Sequence, residues 1–209
     1  ADDIEFIAKE LLKKQKRQNI IYSEVIYTPY NHFKQKGLGF HEQVKALENA
    51  KAWSRDSLGI DCNFIMDISR EVDAEVGAIT AQWMIEENSD AIVALGLGGP
   101  EIGFPPERHV KAFDLIRGTK IRSYPHAGET VGPESVWGAI ETLGAHRIGH
   151  GVRSWEDEKL IEYLKRNTIT IDVCPTSNIC LKVYPDMAHH ALPRLVEAGV
   201  RVTINSDDP

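Results

Sequence analysis

The chain has 209 residues, 42% of them hydrophobic and 26% charged, with a formal net charge of -7. That composition is ordinary for a globular protein, and the negative balance argues against nucleic-acid binding through a general basic field. No apolar run approaches the ~20 residues of a membrane span, and three cysteines without a CxxC argue against a disulfide framework.

The first element is an amphipathic helix over residues 3–18, with Ile4, Ile7, Ala8, Leu11 and Leu12 at helical spacing. Its Lys13, Lys14, Lys16 and Arg17 read as a solvated face, and its acidic start is unlike a secretory signal. Together with the cysteine count, this points to a reducing cytoplasm. "NIIYSEVIYTP" is rich in β-branched and aromatic residues and reads as a strand, followed by a helix over His41 to Ser57. "DCNFIMDIS" is the next strand; Val72, Val76, Ile79 and Trp83 mark a helical stripe; "AIVALGLGG" is a strand running into glycines.

The second half repeats the beat faster. "PPERHVKAFDLIRG" and "GPESVWGAIETLGA" each open on proline and close on glycine, as helices do. Strands are read at "KIRSYPHAGE", "HRIGHG", "TITIDVCPTSN" and "VRVTINSDDP", with helices at "EDEKLIEYLKRN" and "LPRLVEAG". Seven strand signals separated by helical segments predict a parallel α/β sheet, either doubly wound or closed as a barrel. A dinucleotide fingerprint fails because Pro100 follows the glycines of "GLGG" at once.

Unusual residues cluster at the C-terminal ends of five strands: Gly98 and Gly99; His126 and Glu129; His150; Thr176, Ser177 and Asn178; Asp207 and Asp208. In a parallel barrel those ends converge on one mouth, where active sites sit. Two histidines with two aspartates suit a divalent metal such as zinc. Glu129 is placed for proton transfer to a substrate, and His150, between Gly149 and Gly151, for close substrate approach. Each residue also has a local reading: a hydrogen-bonded histidine, a helix cap, a turn. His32, His41 and His109 read as loop or surface residues, and His189 and His190 as capping or surface residues. The cysteines and Trp53, Trp83 and Trp137 read as packing residues.

"HAGE", "RIGHG", "CPTSN" and "NSDDP", in this order, strongly resemble the adenosine deaminase family of amidohydrolase-like metal-dependent enzymes. The resemblance runs from "YSEVIYTP" to "SDDP" and implies a (β/α)8 TIM barrel, present here as a single incomplete domain over residues 1–209 that carries strands two to eight. It implies zinc held by His126 and Asp207, a proton from Glu129 to purine N1, and His150 orienting or deprotonating the attacking water. Asp208 would meet purine N7, and the backbone N–H of Gly99 would meet N3. The implied reaction is attack of zinc-activated water at C6 of a 6-aminopurine nucleoside of the adenosine type, with loss of ammonia.

Two departures shape the expectation. The family's first-strand H-x-H pair is absent, so the 209 residues read as a fragment, inactive on its own, that needs further metal ligands. Pro100 stands where adenosine deaminases proper more often have an acidic residue, which keeps 6-amino-6-deoxyfutalosine or adenine as alternative substrates. A different amidohydrolase-like hydrolase and a non-catalytic family member are the competing readings. The expected partner is a small aminopurine, with no nucleic acid or membrane, and homo-oligomerisation is left open.

Overall fold

Seven parallel strands hydrogen-bond in chain order in the computed structural model, which describes residues 1–208. They are β1 (Tyr22–Tyr27), β2 (Asp61–Ser69), β3 (Ile92–Gly98), β4 (Arg122–Ala127), β5 (Arg147–His150), β6 (Thr170–Val173) and β7 (Val202–Ile204). The helices between them are α1 (Asp2–Arg17) before β1; α2 (Pro29–Lys36) and α3 (Phe40–Leu58); α4 (Ala74–Glu87); α5 (Val110–Ile116); α6 (Pro133–Glu141); α7 (Glu158–Arg166); and α8 (Pro175–Cys180) with α9 (Leu192–Glu197) before β7. This is the strand-by-strand order of a TIM barrel with seven of the eight strands in this chain.

Alternation along β2 shows how the sequence builds the layers. Phe64, Met66 and Ile68 join the core beneath the helices, whereas Ile65 packs with Ala94 and Tyr124 in a separate cluster on the other face. Successive side chains on a strand face opposite ways, so one strand feeds the outer core and the lumen at once. Gly96 on β3 leaves room for that lumen face: a Cβ there would lie 2.6 Å from Asp67 Oδ1. The lumen also holds an ion cluster. Arg147 Nε lies 3.0 Å from Asp172 Oδ2, its guanidinium sits 4.6 Å over the Tyr124 ring, and its Nη2 pairs with Glu24 on β1.

Helix ends follow the sequence signals. Gly37 and Gly59 close α2 and α3 with positive φ, and Asn88 does the same for α4. Asp157 caps α7 by accepting from the amides of Lys159 (2.9 Å) and Leu160 (3.3 Å). Two helices differ from the sequence reading. α2 begins at Pro29, where the pattern suggested only a loop. "CPTSN" is the start of α8, not the tail of a strand, because Pro175 sits at the first helical position. Among the described residues, no helix is long and apolar enough to cross a membrane.

Candidate active site

His126, Glu129, His150, Asn178 and Asp207, all at or just beyond strand ends, form one cluster. His126 closes β4, and its ring centroid lies 5.0 Å from that of His150 at the end of β5, edge to face. His150 Nδ1 lies 3.1 Å from Glu129 Oε1, and its Nε2 lies 3.9 Å from Asp207 Oδ2. Asn178, fully buried in α8, donates to Glu129 Oε1 at 2.8 Å. Ligand atoms of His150, Cys174 and Asp207 all lie within 4.8 Å of one another. His150 and Asp207 both hold positive φ, the sparsely used region that turns their side chains out of line with the strands.

Gly149 is what admits the His126 ring: a Cβ there would lie 2.1 Å from His126 Cδ2. Gly151 likewise clears Ile171, whose Cγ2 would lie 2.7 Å from an added Cβ. These glycines therefore serve packing within the protein. Gly99 follows β3 at φ +96. Asp208 is exposed, and among the described residues no side-chain hydrogen bond or ion pair joins it to the cluster.

Burial sets the protonation pattern. It lowers the His126 pKa to about 3, with His150 and Arg70 acting the same way, so the imidazole is neutral and available as a ligand. Burial also raises Glu129; His150 and Asn178 pull it down, Asp207 and Glu101 push it up, and the net direction is upward. A carboxyl raised above its ordinary range holds its proton longer and can donate it. Cys174 is pushed up to about 12 by burial, then by Asp207 and Glu129.

The loop after β4 is fastened by a residue the sequence reading passed over. Glu101 is 5% exposed. Its carboxylate accepts from the amides of Gly128 (2.7 Å), Glu129 (2.9 Å), Thr130 (2.6 Å) and Val131 (3.1 Å), and from the hydroxyls of Thr130 and Ser135. Arg70, also buried, donates to the carbonyls of Phe104 and His126. His109, read as a loop or surface residue, is buried, and His190, read as a capping or surface residue, is buried and caps α9 by accepting from the Leu192 amide. Cys174 does more than pack, since its sulfur stands among the metal-type donors.

The sequence matches the family model for adenosine deaminase over residues 1–209. The chain belongs to the adenosine deaminase family. It is 37% identical over its whole length to an aminodeoxyfutalosine deaminase of Streptomyces avermitilis, of which it spans 58%. It is 38% identical over 95% of its length to an adenine deaminase of Stutzerimonas stutzeri, of which it spans 62%. All of the chain superposes on 58% of an amidohydrolase from Burkholderia ambifaria with bound Zn, at TM-score 0.94 and 25% identity. The chain thus spans about three-fifths of the length of these relatives.

The site chemistry fits the kind of metal that neighbour carries. A neutral, half-buried imidazole, a second imidazole and a carboxylate at one barrel mouth are donors that zinc accepts.

Proposed function

We propose that the full-length protein hydrolytically deaminates a 6-aminopurine, releasing ammonia and the 6-oxo product. The observation that carries this reading is the contact between Glu129 and His150 beside Asp207, an acid and a base held together at the barrel mouth. His126 and Asp207 would hold a zinc ion. When bound, zinc supplies Lewis-acid activation of water at the mouth. Glu129, with its raised pKa, delivers a proton to N1 of the purine, which weakens the ring's aromatic resistance to attack at C6. His150 takes the proton of the attacking water. Asp208 and the Gly99 amide hold N7 and N3 and so set the ring's orientation.

Between substrates, Pro100 and the two relatives favour 6-amino-6-deoxyfutalosine or adenine over adenosine. The test is ammonia release by the zinc-supplemented full-length protein on adenosine, adenine and aminodeoxyfutalosine at equal concentrations. A kcat/KM for adenosine exceeding the other two would overturn the substrate ordering. Turnover of none of them would sink the deaminase reading itself.

A further inference from the structure

His190 lies outside every motif that pointed to the site. It is 4% exposed, just before α9, and its ring packs 4.6 Å from that of Tyr184. The Leu192 backbone N–H donates to His190 Nδ1 at 3.0 Å. A backbone amide can only donate, so Nδ1 is the acceptor and the ring proton of the neutral imidazole sits on Nε2. Burial lowers the His190 pKa, which keeps the ring neutral. Nε2 lies 3.2 Å from Asn178 Oδ1.

That contact decides which end of the Asn178 amide faces the catalytic pair. A side-chain amide presents two donors at one end and an acceptor at the other, and only its partners fix which way it turns. With a donor anchored at Oδ1, Nδ2 must face Glu129 Oε1, 2.8 Å away. Glu129 Oε1 then accepts from Asn178 Nδ2 and from His150 Nδ1 at 3.1 Å. Nδ2 and His150 Nδ1 stand 3.4 Å apart, well beyond the 2.8 Å from Nδ2 to Glu129 Oε1, so the amide's proton goes to the carboxyl oxygen. With Oε1 committed as an acceptor, the carboxyl proton belongs on Oε2, and the free lone pair of His150 lies on Nε2, toward Asp207. The reversed amide would put Oδ1 against Glu129 Oε1 and require the proton on the wrong oxygen.

We propose that His190 is a positioning residue that fixes the Asn178 amide and, through it, the donor and acceptor roles of Glu129 and His150. This rests on the deaminase reading only for its kinetic consequence. The test uses full-length protein labelled with 15N-histidine. In wild type, His190 should show a protonated Nε2 and an unprotonated Nδ1 across neutral pH, a signal absent from His190→Phe. An Nδ1-protonated or cationic His190 would overturn the proposal. His190→Phe keeps the ring shape without the donor. It should lower kcat roughly 10–100-fold, the scale for outer-shell hydrogen-bond partners, with KM little changed. His190→Gln, which keeps an N–H donor, should recover most of that loss. Wild-type kcat in His190→Phe, or an equal loss in a folded His190→Gln, would overturn it. If the wild-type protein deaminates no aminopurine, the functional reading fails, and the tautomer signal alone decides the role of His190.

Discussion

β1, β2 and β3 run for 6, 9 and 7 residues, whereas β5, β6 and β7 run for 4, 4 and 3. The long strands sit on a core of large side chains such as Phe64, Met66, Leu95 and Phe113. The short ones end early, and at or just beyond their ends stand His150, Asn178 and Asp207, all part of the cluster. A backbone that stops pairing can aim side chains, but it loses the hydrogen bonds that would have held it. The long-strand half replaces them: Glu101 and Arg70, both following long strands, hold the loop and the end of β4. One half of the sheet carries most of the candidate site, and the other carries the fastenings.

The comparison breaks most visibly at Glu129, which belongs to the candidate site and not to the fastenings. Glu129→Gln in the full-length protein should cut kcat about 10²–10⁴-fold, the usual contribution of a general acid, with the melting temperature nearly unchanged. A near-wild-type rate would remove Glu129 from the reaction. Arg147 tests the opposite role. Arg147→Met strands Glu24 and Asp172 without their cation and should destabilise the fold by about 3–5 kcal/mol, read by denaturant unfolding.

Glu101 belongs to both halves, so Glu101→Gln should lower stability and activity together. An amide presents donors to a loop that is itself all donors, at a cost of about 1.5–3 kcal/mol. The pH dependence sharpens this. Burial pushes the Glu101 pKa up, but the hydrogen bonds from Ser135, Val131 and Thr130, with Arg70, outweigh it and hold the pKa below its ordinary 4.5. A lowered folded pKa gives stability that is complete above 4.5 and is lost as pH falls through the lower folded value. Unfolding at stepwise lower pH should show that loss in wild type and a shallower slope in Glu101→Gln. The smallest effect belongs to Trp137→Phe, confined to the short-strand half. It removes the 2.9 Å hydrogen bond to Asp157 and should cost about 0.5–1.5 kcal/mol while leaving kcat unchanged.

Legibility in the sequence follows the same division. The strand signals were readable because apolar alternation and turn residues are local, and "HAGE", "RIGHG" and "SDDP" stand where those runs stop. Glu101 was not readable, although "GGPE" was in view, because its partners lie 27–34 residues further on. His190 read as a capping or surface residue, and its burial beside the exposed His189 was hidden because adjacent positions before a short helix carry no periodicity. The helix at "CPTSN" was hidden by its length: six residues give too few turns for an apolar stripe.

The sequence by itself determined the order of the seven strands and a parallel α/β sheet, since each depends on neighbours within a turn or two of chain, and its four motifs supplied the resemblance that implied a barrel. Only the tertiary structure decided that Gly149 yields its space to His126, that Glu101 fastens the loop of Glu129, and that His190 turns the Asn178 amide. Those outcomes depend on distances between segments remote in sequence. There a donor finds its acceptor only after the sheet has curled and the apolar layers have brought the strand ends together.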